Sequence, residues 1–254
     1  MKLRILGCSG GIGGALHTTS FLLDDDVLID AGTGVGNLTL EEMCRIDRIF
    51  LTHSHLDHIA SIPLLVDSVG YLKKTPITVY AIEETIDALK RHIFNSVIWP
   101  DFTVIPSPES PYLRYETLTL GQTVDLGGRR ITTLPANHTV PAVGYHLDSG
   151  KGSLVFSGDT TTNDPLWEIV NGIDNLKYLI IETAFSNSEL EIAALSKHLC
   201  PSLLGEELAK FRGGVPIYIT HLKPGELGLI MTEVAQYAGR SRPQMLLNDQ
   251  TFEF

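Results

Sequence analysis

Three histidines and one aspartate fall within six positions in His53-Ser54-His55-Leu56-Asp57-His58, directly after an apolar run at 48–51. In extended backbone, residues i and i+2 project to one side, so His53 and His55 can share a cation. Asp57 and His58 stand where the chain turns into a helix predicted over 59–66, aiming a carboxylate and a third imidazole at a second cation. Neutral imidazole and carboxylate suit zinc, manganese or iron. Further candidate ligands follow other apolar runs: His138 in Ala136-Asn137-His138, Asp159 in Ser157-Gly158-Asp159-Thr160, and His221 in Ile219-Thr220-His221-Leu222. A lone histidine is usually a surface or core residue, whereas this density beside a buried strand points to a metal centre. Two ions about 3.5 to 4 Å apart lower the pKa of a shared water and neutralise charge during displacement, so ester hydrolysis is the natural chemistry.

The elements that must position these side chains can be read from periodicity. Strands are predicted at 2–6, 20–23, 27–29, 48–51, 77–80, 130–134, 143–147, 153–157, 178–181 and 216–220, and helices at 84–97, 164–170, 189–197, 202–211 and 226–238. Strands come first and alternate with helices afterwards. That order suits two mixed sheets packed face to face with helices outside, whose loops converge at one sheet edge. No repeat, low-complexity stretch or linker divides the chain, and the Pro-rich 105–111 reads as an ordered surface loop, so one domain is expected over 1–254. The glycine-rich 7–14 lacks G-x-G-x-x-G spacing and reads as a tight turn beside the cleft, leaving room for substrate. Asp30, at a strand end, is expected to hydrogen-bond a ligand histidine.

Composition bounds the function classes. The chain has 254 residues, 43% apolar and 19% charged, enough for a sizeable core. No apolar run approaches the roughly 20 residues that span a bilayer, and the first residues pass straight into a strand, so no membrane partner and a cytoplasmic location are expected. Cys8, Cys44 and Cys200 are odd in number and widely spaced, which argues against a disulfide framework. A formal net charge of −11 disfavours nucleic acid as a partner, because such binding needs a basic surface. An anionic substrate would then rely on metal ions for local positive charge. A homodimer is compatible with the sequence, and no residue pattern requires one.

The succession His-x-His-x-Asp-His, a later His, Gly-Asp-Thr and Thr-His resembles the metallo-β-lactamase fold family over essentially the whole chain. The resemblance implies an α/β (α+β) fold, a four-layer αββα sandwich. It further implies two divalent metal ions, zinc first and manganese or iron with the same donors. His53, His55 and His138 would hold one ion, Asp57, His58 and His221 the other, and Asp159 would bridge them. The flavin-linked di-iron members carry, by the same resemblance, a carboxylate where this sequence has His55, which speaks against redox chemistry.

Other stretches are similar to one branch, the class II cyclic-nucleotide phosphodiesterases: Leu28-Ile29-Asp30-Ala31-Gly32-Thr33-Gly34, the segment Ala88 to Phe102 with its Trp99-Pro100, Ser196-Lys197-His198-Leu199-Cys200-Pro201, and His221-Leu222-Lys223-Pro224. A more distant similarity, to tRNA 3′-processing endonucleases, matches Glu182 and His198, which lie outside the metal shell. A histidine polarised by a carboxylate stays protonated near neutral pH and can donate to a leaving alkoxide. The expected catalytic set is therefore His198 as general acid, Glu182 orienting it, and Asp57; a helix-surface histidine is the plain alternative for His198. The expected reaction is attack by a metal-bridging hydroxide on a 3′,5′-cyclic nucleotide, cAMP or cGMP, giving the 5′-monophosphate. His92, Asn95 and Trp99 are candidates for a base pocket, with core packing or a subunit interface equally open for Trp99, and Lys223 is a candidate phosphate contact. The alternatives are an RNA 3′-end nuclease, another small cyclic phosphodiester hydrolase, a glyoxalase-type thioesterase, or a binding protein on the same scaffold. The nuclease is weakened by the acidic balance and by the short interval between His138 and Asp159.

Overall fold

A computed structural model describes residues 1–254, the side chain of residue 240 excepted. Strands run in chain order as β1 Lys2–Gly7, β2 Ser20–Leu23, β3 Val27–Ile29, β4 Arg48–Phe50, β5 Ile77–Ile82, β6 Pro106–Ser107, β7 Ser110–Pro111 and β8 Leu113–Leu118. They continue as β9 Thr123–Asp125, β10 Arg130–Pro135, β11 Val143–Asp148, β12 Ser153–Phe156, β13 Leu176–Glu182, β14 Ile217–Thr220, β15 Gln244–Met245 and β16 Thr251–Glu253. One sheet has the order β16-β1-β2-β3-β4-β5-β8 and the other β15-β14-β13-β12-β11-β10-β9, while β6 and β7 form a small hairpin. The α-helices are α1 Leu40–Arg45, α2 Leu56–Ile59, α3 Ile62–Val69, α4 Glu83–His92, α5 Asp164–Val170, α6 Leu190–Ser196, α7 Pro201–Leu208 and α8 Leu227–Tyr237.

The period-2 alternation of side chains builds the layers. In β3, Val27 and Ile29 enter a core between the sheets, while Leu28 faces a second core under α3 and α4. In β13, Ile180 joins the central core, while Leu179 and Ile181 pack under α5, α7 and α8 with Trp167, Leu204 and Val234. Three cores separate four layers, helix-sheet-sheet-helix, as expected. Aromatic pairs stitch the sheets together: Phe21 meets Phe156 at 4.9 Å between ring centres and Phe50 meets Tyr145 at 5.9 Å.

Several elements differ from the sequence-based expectation. Helix α1 is absent from it because six residues offer little periodicity, yet its Thr39–Glu42 capping box is a readable start signal. Strands β8 and β9 lie at sheet edges, where exposed Arg114, Glu116 and Asp125 break the apolar pattern. The helix predicted over 84–97 stops at His92. Asn95 turns the chain there: its Nδ2 donates to the Arg91 carbonyl at 3.0 Å, and its Oδ1 accepts from the N–H groups of Val97 and Ile98 at 3.0 and 2.8 Å. The segment 105–111 holds the β6–β7 hairpin rather than a plain loop.

Sheet direction decides what meets what. Strands β3, β4 and β5 are mutually parallel, as are β12, β13 and β14, and β10 shares the direction of β12 because both are antiparallel to β11. Their C-terminal ends therefore open on one edge of the sandwich, where ligand-binding loops of parallel sheets collect.

Candidate metal centre and active site

The exit of β4 delivers Thr52, His53 and His55, and α2 carries Asp57 and His58. The exits of β10, β12, β13 and β14 add His138, Asp159, Glu182 and His221. The ligand atoms of His53, His55 and His138 lie within 4.8 Å of one another, as do those of Asp57, His58, Asp159 and His221. Asp159 stands between the groups: its Oδ2 is 3.8 Å from His53 Nε2 and 3.2 Å from His58 Nε2, and its Oδ1 is 3.4 Å from His221 Nδ1. His198 forms a further compact group with His138 and Asp159.

The backs of the rings are fixed. Asp30 Oδ2 lies 2.7 Å from His58 Nδ1, the hydrogen bond expected of this residue, while Asp30 accepts from Thr52 N–H and Oγ1 at 2.8 and 2.9 Å. Thr52 Oγ1 is 2.9 Å from His53 Nδ1, and the Lys197 carbonyl is 3.1 Å from His138 Nδ1. These contacts turn the Nε2 atoms inward. His53 Nε2, His58 Nε2 and both ring nitrogens of His221 are buried with no hydrogen-bond partner. Orphaned polar atoms are costly in a core, each worth about 1–3 kcal/mol. Buried lone pairs converging with two carboxylates are the donor set that divalent ions take, so these residues fit a metal centre.

Protonation agrees with that use at most of the imidazoles; at His58 burial opposes charge, but Asp159 and Asp30 prevail and raise its pKa well above the ordinary value. Burial pushes His53 well down, His138 to about 4 and His221 to about 3, leaving neutral imidazoles at physiological pH. Burial also opposes charge on His198, but Glu182 prevails and raises its pKa. The two side chains meet at 2.7 Å between His198 Nδ1 and Glu182 Oε1. Glu182 is fully buried and is held by Thr160 N–H at 3.1 Å. The His198 ring stacks on His221 at 5.0 Å and lies 4.9 Å from His138.

Within the glycine-rich segment, Gly10 makes room for the backbone of His221, since a Cβ there would strike the His221 carbonyl, while Gly13 and Gly14 face open space. Gly10 N–H donates to the Leu222 carbonyl at 3.0 Å, and His221 N–H to the Cys8 carbonyl at 2.8 Å. Gly158 is required on its own account, at φ 63° with Val143 against its α-carbon. Asp30, Lys197 and His221 also adopt left-handed backbone, at φ 56°, 51° and 67°.

Lys223 reaches the site: its Nζ donates to the Gly10 carbonyl at 2.7 Å and lies 5.8 Å from the Phe185 ring centre. His92, Asn95 and Trp99 do not. α4 begins at the site edge, where β5 exits, and its ten residues rise about 15 Å toward the opposite end. His92 is exposed there, the Asn95 amide is committed to its turn, and Trp99 packs on the core beneath α3 and α4. The expectation of a base pocket at 92–99 is thus corrected by sheet topology. The anchoring roles of Thr52, Thr160 and the Lys197 carbonyl were not foreseen; only Thr52, adjacent to His53, had a local signal.

A family model for the beta-lactamase superfamily domain matches residues 25–237. The chain belongs to this superfamily. A probable 3′,5′-cyclic-nucleotide phosphodiesterase of Yersinia pestis is 28% identical over 238 residues, 84% of this chain and 67% of that protein. A ribonuclease Z of Bradyrhizobium diazoefficiens is 31% identical over 144 residues, covering 54% of this chain and 46% of the relative. The metallo-beta-lactamase fold protein YhfI from Bacillus subtilis superposes with a TM-score of 0.77 at 19% identity, covering 99% of both chains. The layered sandwich of this superfamily member is accordingly the metallo-beta-lactamase fold. No helix among the described residues is long and apolar enough to cross a membrane.

Proposed function

We propose that this superfamily member is a metal-dependent phosphodiesterase that converts 3′,5′-cyclic nucleotides to 5′-monophosphates. The observation that carries the reading is the buried Glu182–His198 pair, which places a proton donor outside the two ligand groups yet in ring contact with His138 and His221. His53, His55 and His138 would hold one divalent ion, Asp57, His58 and His221 a second, and Asp159 both, zinc being the first choice for so imidazole-rich a set. When bound, such ions supply an acidified water and neutralise charge on phosphoryl oxygens.

The side chains of the chain do the rest. Asp30, Thr52 and the Lys197 carbonyl orient three imidazoles and thereby fix the reacting geometry. Glu182 holds the His198 Nδ1 proton, leaving the Nε2 proton for the departing 3′ oxygen, a role worth about 10²–10⁴-fold. Lys223 would approach a phosphoryl oxygen by leaving the Gly10 carbonyl. Support also comes from the phosphodiesterase relative matched over 84% of the chain. A net charge of −11 supports a small substrate over a polyanion. The ribonuclease Z match keeps an RNA 3′-end nuclease as the second reading, beside hydrolysis of another small cyclic phosphodiester.

The test is hydrolysis of cAMP and cGMP by metal-analysed protein, with and without chelator, beside His55→Ala and His198→Ala. Chelator-sensitive release of the 5′-monophosphate is expected, lost in His55→Ala. His198→Ala should lower kcat about a hundredfold or more while metal content holds. Metal-replete protein inactive on both nucleotides overturns the reading.

A further inference from the structure

A groove of about 460 Å³ opens beside the ligand cluster, within the range of about 300–1,000 Å³ usual for small-molecule sites. It is lined by Ile82 and Glu84 at the start of α4, by Leu120 beyond β8, and by the β10–β11 loop from Pro135 to Val143. His138 belongs to both groove and cluster, with its Nε2 3.1 Å from His55 Nδ1. A phosphoryl group held at the cluster would therefore leave its organic substituent at the mouth of the groove.

The lining is built into the fold. Asn137 N–H donates to Thr160 Oγ1 at 2.9 Å and Asn137 Nδ2 to the Thr162 carbonyl at 3.0 Å, so the loop behind His138 is pinned to the loop carrying Asp159. Thr160 in turn holds Glu182, which ties the groove to the His198 dyad through two hydrogen bonds. The lining mixes apolar Ile82, Leu120 and Val143 with polar Asn137, Thr139 and Glu84, and includes neither lysine nor arginine among the described residues. A base and sugar, with apolar faces and donor-bearing edges, match such a surface. A second phosphate at the start of α4 would meet the Glu84 carboxylate, which disfavours an extended nucleic-acid strand along that side, while Lys197 Nζ, 3.3 Å from Asn137 Oδ1, offers a cation at the other.

We propose that this groove seats the nucleoside of a single-phosphate nucleotide diester and that Leu120 and the β10–β11 loop set its affinity. The inference rests on the phosphodiesterase reading, and the experiment separates the two. Leu120, 62% exposed, is changed to Ser to remove an apolar contact, and Ala142 is changed to Phe to fill the groove. Each variant and the parent, matched for metal content, are assayed on cAMP, cGMP and methyl p-nitrophenyl phosphate, a diester without a nucleoside. In both variants the ratio of nucleotide to simple-diester kcat/KM should fall at least tenfold, chiefly through a higher nucleotide KM. The exposed position of Leu120 keeps that arm independent of folding if Ala142→Phe is unstable. An unchanged ratio, with the parent active on cyclic nucleotides, overturns the groove assignment and leaves the phosphodiesterase reading intact. A parent that cleaves the simple diester and neither nucleotide overturns both.

Discussion

At the end of the sandwich where β3, β4 and β10 begin, Arg129 donates to Asp24 at 3.1 Å and to both oxygens of Asp26 at 2.5 and 2.8 Å, and Arg48 reaches Asp26 at 3.2 Å. At the opposite end, where the same strands exit, His53 Nε2, His58 Nε2 and both ring nitrogens of His221 are more deeply buried, yet have no hydrogen-bond partner. The turn end satisfies its charges within the chain and contributes stability, whereas the exit end folds with buried donor atoms left facing one another. Single unpartnered polar atoms occur elsewhere in the protein, at Thr85 and His146 among others, but four imidazole nitrogens gathered at one place with two carboxylates are the physical mark of a ligand site.

The comparison can be broken first at Asp159. Asp159→Ala should remove bound metal and reduce turnover by more than the roughly 10–100-fold that outer partners are worth, read by elemental analysis and steady-state rates. Asp30→Ala acts one step behind the ring of His58 and should weaken metal affinity by about 10–100-fold, measured by competition with a chromophoric chelator. Chelation should lower the stability of the unmodified protein by about 2.7 kcal/mol relative to metal at a hundred times its Kd, seen as a fall in Tm. Arg129→Met probes the other end: stability should fall by about 1 kcal/mol, since its partners are partly solvated, while kcat and the chelator-sensitive shift stay the same.

The smallest effect is expected at Glu42, where the Thr39 backbone N–H and then Arg4 hold the carboxyl at about 2, below its ordinary 4.5. A depressed folded-state value stabilises above pH 4.5, and the contribution is lost as pH falls from there toward 2. Glu42→Gln should slightly lower stability at neutral pH and flatten that limb of the acid-unfolding curve, the two proteins converging as pH falls toward 2. A Glu42→Gln curve that keeps a constant offset from the parent, or overlays it, from neutral pH down to pH 2 would mean that the capping box carries no such linkage.

Much of the exit end was legible in the sequence. His53, His55, Asp57 and His58 are close in the chain, and His138, Asp159 and His221 each follow an apolar run, so the strand that positions each is its own signal. The sandwich could be read because alternation at Val27-Leu28-Ile29 and at Leu179-Ile180-Ile181 marks strands covered on both faces. The position of 92–99 was not legible, since it depends on α4 running back from the exit of β5, a matter of sheet order that periodicity does not encode. Nor was the support of His138 by Lys197, which is made by a main-chain carbonyl and therefore by no particular residue type.

That last contact bears on how freely the protein can change. Asp30, Lys197 and His221 all sit in left-handed backbone, which costs a residue bearing a Cβ about 1–2 kcal/mol. Asp30 and His221 are useful through their side chains, so glycine there would relax the backbone at the expense of the site. Lys197 serves His138 through its carbonyl, which glycine also has. Of three strained positions around one centre, Lys197 is thus the one where laboratory evolution could recover stability while keeping the support of His138, giving up only the Nζ bond to Asn137 Oδ1 at 3.3 Å, and the other two mark where that route is closed.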